Sequence, residues 1–401
     1  MRRFVFAILL IAWLPADSQD YEVQVTEVTV WVKATDRSGK PLTGLTQADF
    51  EIYEDGKKMP ATCFEEVVYP AAKFTAPPQA EQSQPSDTSS PRLKRVVVIL
   101  DLYNTYQPEY LFIKPKIVDF LKQISPHWET MLVALIPGAI EVNVPFTNDV
   151  NLIQTKLDQI SANSVRNVEV LNRRRAITNM LAKGNFADVV QEAYRLANEY
   201  AMEEKQMARE SLKALEKFEK DLIQFKNDPH MVVLYISGGI NSEPGRQYYD
   251  LVERRSSSIE SARSLSVMRE SGSDLWKLLR KIVAQLNRHN ITVYTINTRG
   301  TESPLPDGAT ERNRKPILED ANYLDDTQEI MAEIADGTGG LYFENSLNFR
   351  HGFDLILGDL DHQYMLCYKA PPHKEPNEFH KIKVESKKSG VKLRHRSGYL
   401  E

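Results

Sequence analysis

Runs of apolar residues in the middle of the sequence alternate with stretches of helical periodicity. The runs lie at Val96–Leu100, Met131–Ile136, Met231–Ile236 and Ile291–Ile296, and they contain few polar residues. Runs of this length are typical of strands that are buried on both faces of a parallel sheet. Apolar residues at helical spacing occur between them, for example from Tyr110 to Ile124. This alternation predicts a doubly wound α/β fold with a mostly parallel sheet.

The longest interruption of this pattern, residues 165–228, contains no proline and is rich in helix-forming residues. One apolar stripe repeats along it at intervals of four, three and four residues: Val189, Ala193, Leu196 and Tyr200. A stripe of this kind covers one face of a helix, so we expect a helical insertion that packs on the body of the protein. Pro229 follows directly and ends the insertion.

Both ends of the sequence change to the alternating pattern of strands. Residues 19–69 and residues 361–401 show this alternation, and neither segment has enough strands to close a core alone. We therefore expect the two segments to pair in a small β-sandwich, with an α/β domain at 93–360 inserted between them. Residues 70–92 are rich in Pro, Ser, Gln and Ala, a composition that predicts a flexible linker.

The first residues have the composition of an export signal. Arg2 and Arg3 precede an apolar run from Phe4 to Leu14, and small residues follow. Residues 1–18 are therefore expected to be a signal peptide that directs the protein to the periplasm or outside the cell. The run is shorter than the roughly 20 residues that a spanning helix needs, so no transmembrane span is expected. An uncleaved membrane anchor is the alternative.

The charge balance and the absence of known catalytic motifs argue against two classes of function. The chain has 50 basic and 55 acidic residues and a net charge of −5, which argues against a nucleic-acid partner. It contains no zinc-protease, nucleophile-elbow or phosphate-loop motif, so we do not expect an enzyme. Gly337 to Gly340 follow a predicted helix and precede a strand, which indicates a helix stop. His380 lies near a predicted hairpin and is expected to be exposed.

Two cysteines, Cys63 and Cys367, lie in strand regions at opposite ends of the chain. In an oxidising compartment they could form a disulfide within one sandwich. The alternative is two buried thiols that remain unpaired. Because the sequence does not fix which strands are neighbours, we favour unpaired thiols.

Several segments together resemble a known family. They follow one another in this order: GLTQADFEIYEDGKK (44–58), VVVILD (96–101), LYISGG (234–239), RHNITVYTINTRG (288–300), ADGTGGLYFEN (335–345) and VKLRHRSGYLE (391–401). The set resembles the bacterial von Willebrand factor A-related proteins of acidobacterial type, and it covers nearly all of the chain after the signal peptide. The resemblance implies a von Willebrand A fold that is flanked by β segments at both ends.

The resemblance also implies where a ligand would bind. A domains hold Mg²⁺ at the carboxyl end of the sheet through hydroxyl and carboxylate oxygens, in a pattern Asp-x-Ser-x-Ser after the first strand. Here Asp101 and Thr105 match this pattern, while Tyr103 replaces a coordinating serine. Gly238 stands where metal-binding members carry a second aspartate, and Thr178 is a candidate for their distant threonine ligand. We expect a degenerate metal site and no required cofactor.

These observations predict an exported, non-enzymatic protein-interaction module. Its protein partner would bind at the top of the sheet or on the helical insertion. The residues expected to line the top face are Tyr103, Asn104, Thr105, Ser237, Gly238, Gly239 and Asn241. The alternative is a Mg²⁺-dependent adhesin that uses Asp101 and Thr105. A third interpretation is a hydrolase whose site is assembled across loops, including residues 298–325.

Overall fold

A computed structural model describes ten stretches of the chain. They are residues 27–68, 94–124, 128–162, 166–184, 187–225, 230–254, 260–299, 321–344, 349–372 and 378–400. The predicted signal peptide at 1–18, the predicted linker at 70–92 and most of the loop at 298–325 lie outside these residues.

Strands and helices follow the predicted order along the described residues. The strands are β1 (Glu27–Thr35), β2 (Phe50–Glu54), β3 (Lys57–Met59), β4 (Ala61–Val68), β5 (Lys94–Asp101), β6 (Trp128–Ile136), β7 (Ala139–Thr147), β8 (Met231–Ser237), β9 (Ile291–Asn297), β10 (Tyr342–Phe343), β11 (His362–Lys369), β12 (Phe379–Ser386), β13 (Lys392–Arg394) and β14 (Gly398–Leu400). The α-helices are α1 (Gln107–Ile124), α2 (Val150–Gln159), α3 (Arg166–Leu181), α4 (Ala187–Leu222), α5 (Arg246–Glu253), α6 (Glu260–Arg288), α7 (Ala321–Thr338) and α8 (Phe349–Asp361).

The central sheet has six strands in the order β10-β9-β8-β5-β6-β7. All neighbouring pairs are parallel except β6 and β7, so the edge strand β7 makes the sheet mixed. Alternate residues of β5 face opposite cores: Val98 packs with α1, α2 and α8, whereas Ile99 packs with α4, α6 and α7. The apolar runs therefore form strands buried on both faces, and the predicted α/β architecture with a mostly parallel sheet is present.

The two terminal segments form two antiparallel sheets that share one core. One sheet has the order β13-β1-β11-β4 and the other the order β14-β12-β2-β3. Each sheet therefore combines strands from both ends of the chain, and Val30, Ile52, Leu366 and Ile382 belong to the same buried cluster. The expected contact between the first and the last strand segments is observed.

A disulfide links the two terminal segments within the first of these sheets. Cys63 in β4 and Cys367 in β11 lie opposite each other, with a Cα–Cα distance of 4.8 Å, and their sulfurs are bonded. The expectation of unpaired thiols is therefore wrong. It failed because the sequence does not reveal that β4 pairs directly with β11.

The helical insertion packs on the body of the protein in two parts. The carboxyl-terminal half of α4 lies on the central sheet, where Leu212 and Phe218 join the core. Its amino-terminal half packs against α3 and α5 in a separate apolar cluster. The buried stripe consists of Val190, Ala193, Tyr194, Ala197 and Ala201. It is displaced from the predicted one, of which only Ala193 is fully buried, because helices contact α4 from two sides.

The sandwich contacts the α/β domain through the last residues of the chain. The backbone nitrogen and the hydroxyl of Ser397 both donate to the carbonyl oxygen of Gly337, each at 2.9 Å. A side chain at Gly339 would collide with the backbone of His395 and Arg396, and the φ of Gly339 is +77°. Gly339 thus follows the end of α7 and leaves room for the backbone of the carboxyl-terminal segment to pack against it. None of the described helices is both long and apolar enough to cross a membrane.

Candidate functional site

The residues predicted for the ligand end converge at the carboxyl ends of β5 and β8. Asp101 is the last residue of β5, and the turn that follows it contains Asn104 and Thr105. Ser237 is the last residue of the neighbouring strand β8. The backbone nitrogen of Thr105 donates to the carbonyl oxygen of Asp101 at 3.0 Å, which closes the turn. The structure therefore brings together residues that the sequence had assigned to this end of the sheet.

The carboxylate of Asp101 is fully buried and accepts four hydrogen bonds from the protein. Its Oδ1 accepts from the backbone nitrogen of Asn104 at 2.9 Å. Its Oδ2 accepts from Asn104 Nδ2 at 2.7 Å, from the Tyr235 hydroxyl at 2.6 Å and from the Ser237 hydroxyl at 2.7 Å. A buried carboxylate is stabilised when donors surround it in this way. Asp101 therefore holds the ends of two strands together.

The loop after β8 is packed too closely to admit side chains. A Cβ at Gly238 would collide with the carbonyl oxygen of Asn104, and one at Gly239 with the carbonyl oxygen of Thr327. The hydroxyl of Ser237 accepts from the backbone nitrogen of Gly239 at 2.9 Å. Arg299 Nε donates to the carbonyl oxygen of Gly238 at 2.7 Å. An aspartate at position 238 would not fit this arrangement.

Helix α4 covers this end of the sheet. Asn104 Nδ2 donates to the Ser211 hydroxyl at 3.2 Å. Seven residues before Ser211, about two turns along α4, the buried carboxylate of Glu204 also accepts four hydrogen bonds. The donors are Asn241 Nδ2, the backbone nitrogen of Gly245, Gln247 Nε2 and the Tyr248 hydroxyl. Glu204 thus joins the insertion to the loop that follows β8, a role that nothing in the linear sequence indicated.

The expected partner-binding face is closed in this structure. Asn104, Thr105, Ser237, Gly238, Gly239 and Asn241 are buried, and Tyr103 is partly buried. The prediction that these residues form an accessible surface is corrected, because α4, Arg299 and the residues around Thr327 lie over them. The residues come together as expected, but they serve as an internal joint.

The donor set at this joint does not fit Mg²⁺. The ion needs oxygen ligands in octahedral geometry and enough negative charge to offset its own. Asp101 supplies a carboxylate whose oxygens already accept four hydrogen bonds, and Gly238 supplies none. The buried carboxylate of Glu109 lies beside Gly238, and its Oε2 already accepts from the Tyr106 backbone nitrogen and the Thr298 hydroxyl. Asn104 Oδ1 and Thr105 Oγ1 are buried and have no hydrogen-bond partner among the described residues, yet both are neutral. Thr178 is exposed on α3, and its hydroxyl donates to the carbonyl oxygen of Arg174.

A second group of ligand-type side chains lies in the sandwich. Glu54, Asp55 and His380 each offer one atom, and these atoms lie within 4.8 Å of one another. His380 is buried, so its expected exposure is wrong; its Nδ1 lies 2.8 Å from Asp55 Oδ2. The hydroxyls of Tyr368 and Tyr399 both donate to Glu54 Oε2. The observed bonds join β2 and the turn that follows it to β11, β12 and β14.

One carboxyl near the top of the sheet has a strongly shifted pKa. Burial raises the pKa of Asp326, in α7, to about 7, although Arg246 opposes this shift. Arg246 NH1 lies 3.1 Å from Asp326 Oδ1, and it also lies 3.1 Å from Glu243 Oε2. The backbone nitrogen of Ser242 donates to the carbonyl oxygen of Asp326 at 2.8 Å. Asp326 therefore ties α7 to the same loop that Glu204 holds.

The sequence matches no protein-family profile, and no curated protein is similar to it. Among solved structures, an aerotolerance-related membrane protein from Bacteroides fragilis aligns at 11% identity and a TM-score of 0.34, covering 67% of this chain and 98% of that one. BatB from Bacteroides thetaiotaomicron aligns at 11% identity and 0.31, with the same shares. A variant of the PilB minor pilin from Streptococcus sanguinis aligns at 9% identity and 0.34, covering 84% and 89%. TM-scores this low support no functional argument.

Proposed function

We propose that this chain is an exported, non-enzymatic protein-interaction module built on a von Willebrand A-type domain, and that it binds its partner without a metal. The position of β5 at the centre of the mixed sheet supports the domain type, together with the motifs at residues 96–101 and 234–239. The apolar run near the amino terminus supports export. The observation that carries the proposal is the internal use of Asp101, whose carboxylate is surrounded by four protein donors.

The partner would bind on the outer surface of the helical insertion. Because α4 covers the carboxyl end of the sheet, a partner approaching from that side meets the insertion first. Met202 on α4 is 73% exposed, the largest value among the large apolar side chains that are exposed in the described residues. An exposed methionine beside the charged side chains of Glu199 and Glu203 offers adaptable apolar contact at the centre of a polar rim.

Site-specific photocrosslinking tests this proposal. A crosslinking residue replaces Met202 in one variant and Leu152 in a control; Leu152 is 49% exposed on α2, which packs on the opposite face of the sheet. Crosslinking is carried out in intact cells that export the protein. We expect a discrete adduct at position 202 that is weak or missing at position 152, and we expect EDTA to leave it unchanged.

Two results would contradict the proposal. Equal adducts at both positions would show that the insertion is not the contact surface. An adduct that disappears with EDTA and returns with Mg²⁺ would favour the metal-dependent adhesin, in which Asp101 exchanges its protein donors for the ion.

A further inference from the structure

The outer surface of the helix pair α4 and α6 carries a dense set of positive charges. On α4, Arg209, Lys213, Lys217 and Lys220 are exposed. Their spacings of four, four and three residues place them on one side of the helix. With a rise of about 1.5 Å per residue, this row is about 16 Å long. The opposite side of the same helix packs on the central sheet.

Helix α6 carries a second row beside the first. Its exposed basic residues are Lys277, Arg280, Lys281 and Arg288. Three contacts show that the two helices run side by side in the same direction: Lys205 with Asp274, Lys281 with Glu216, and His289 with Glu219. Packed helices lie about 8–10 Å apart, so the two rows form one surface, which we call the basic face.

Neighbouring carboxylates offset only part of the charge of the basic face. Of the exposed charged residues in 209–222 and 274–288, eight are basic, and only Asp221 and Asp274 are acidic. The same stretches also contain the partly buried Glu210 and Glu216, so, leaving aside the buried Glu219, eight basic groups minus four carboxylates leaves four positive charges there, in a chain whose net charge is −5. Asp274 already pairs with Lys205, and Lys281 is the one member of the eight for which the described residues supply a carboxylate within 4.0 Å. Such a separation of charge is an electrostatic footprint for an anionic partner.

We propose that the basic face binds the anionic lipid headgroups of a membrane surface. The face spreads its charge in two dimensions across two parallel helices. It has no exposed aromatic side chain on which a base or a sugar could stack, among the described residues of the two stretches. Clustered Lys and Arg on a helical surface are attracted to anionic lipid headgroups.

This arrangement would hold the protein at a membrane without a spanning helix. The insertion with Met202 belongs to the other half of α4, so a membrane on the basic face leaves that half accessible. The proposal concerns a surface separate from the partner contact described above, and it stands or falls independently of that contact.

Vesicle cosedimentation tests the basic face with the full chain, purified in its exported form. The vesicles contain either phosphatidylcholine alone or phosphatidylcholine with 30% phosphatidylglycerol (roughly a physiological anionic content). The patch variant carries Arg209→Gln, Lys213→Gln, Lys217→Gln and Lys220→Gln. The control variant removes the same total charge at exposed lysines elsewhere: Lys57→Gln, Lys183→Gln, Lys369→Gln and Lys392→Gln.

We expect the unchanged protein to bind the anionic vesicles and not the neutral ones, and to bind more weakly as salt is raised. The patch variant should lose at least about tenfold in vesicle partitioning, whereas the control variant should stay within about twofold, since charge near the membrane decides the effect. Circular dichroism and thermal unfolding of both variants establish that they are folded.

Three outcomes would overturn the proposal. The first is no binding to anionic vesicles by the unchanged protein. The second is equal loss in the patch and control variants, which would reflect net charge alone. The third is tight binding of dextran sulfate that depends on the four α4 residues in the absence of vesicle binding, which would assign the face to an acidic polymer.

Discussion

Both ends of the central sheet are covered, but the buried ionisable side chains at the two ends are stabilised in different ways. At the carboxyl end, the carboxylates of Asp101 and Glu204 each accept four hydrogen bonds. At the amino end, where the sandwich docks, the buried ammonium of Lys33 donates to the Thr292 hydroxyl at 3.2 Å. Burial lowers the pKa of Lys33 to about 7. The buried anions are thus held by donors in fixed positions, whereas the buried cation gives up its proton near neutral pH.

The difference indicates which end is built for a fixed arrangement. Asp101 and Glu204 connect elements that are far apart in the chain, and each loses several bonds if its partner elements separate. Lys33 lies among Asp359, Arg394 and Lys94, whose charges act on it in opposite directions. The amino end therefore contains a buried group that changes its protonation near neutral pH, as the carboxyl end does at Asp326.

The largest expected effect is at Asp101. Asp101→Ala removes the acceptor of four buried hydrogen bonds and should lower the free energy of unfolding by about 4 kcal/mol, since each buried donor left unpaired costs roughly 1–3 kcal/mol. Tyr235→Phe removes one of the four bonds and should cost about 1 kcal/mol. Urea unfolding measures both. If Asp101→Ala unfolds at the same urea concentration as the unchanged protein, the carboxyl end is not fixed by this residue.

Lys33→Met is expected to act in the opposite direction. A buried lysine replaced by an apolar side chain of similar volume should stabilise the protein at pH 7 by about 2 kcal/mol. Because the native pKa is about 7 and the ordinary value is 10.5, the unfolded chain binds more protons between these values. The free energy of unfolding should therefore rise with pH across that window, and the variant should lack the rise.

Unfolding measured from pH 6 to pH 10 distinguishes these expectations. Lys40→Met, at an exposed lysine outside the junction, serves as the control. An unchanged slope in Lys33→Met would show that another group causes the dependence.

A smaller effect with the opposite sign is expected at Asp326. Burial raises its pKa from 3.8 to about 7, so the native protein binds more protons than the unfolded chain between these values. The free energy of unfolding should fall as the pH rises through this window. Asp326→Asn should reduce this fall, and guanidinium unfolding at pH 4, 5.5 and 7 measures it. A fall that persists in the variant would place its origin elsewhere.

The smallest expected effect is that of metal ions. Addition of EDTA, or of millimolar Mg²⁺, Mn²⁺ or Ca²⁺, should leave the melting temperature unchanged, because the oxygens of Asp101 already accept protein donors. A site filled at 100 times its dissociation constant would stabilise the native state by about 2.7 kcal/mol and raise the melting temperature by a few degrees. A rise that Asp101→Ala abolishes would restore the metal-dependent adhesin.

Local sequence patterns predicted the sheet and the position of the joint. The apolar runs are stable only when they are buried on both faces, and Asp101 is the last residue of the strand that one of them forms. The closure of the joint could not be predicted in this way. The closure depends on Glu204, which lies in a helix with many Glu and Lys residues. Glu204 differs from its neighbours in accepting hydrogen bonds from the residues that follow β8.

The errors in the sandwich have the same cause. His380 lies in a segment of alternating polarity, and in the assembled sandwich it contacts Asp55 and the ring of Tyr399, both distant from it in the sequence or on another strand. The disulfide required the adjacency of β4 and β11, which lie 304 residues apart at the two cysteines. Pairings between distant segments follow from the assembled fold, and no local pattern encodes them.

The disulfide also determines how the protein would respond to mechanical force. The described chain begins in β1 and ends in β14, so tension applied between the two ends enters the sandwich from both sides. The covalent link between Cys63 and Cys367 carries that tension across, and the segment between them receives none of it. Only the residues outside the link can be extended. The α/β domain, with its basic face and its insertion, would keep its shape under a pull that unravels the strands on either side.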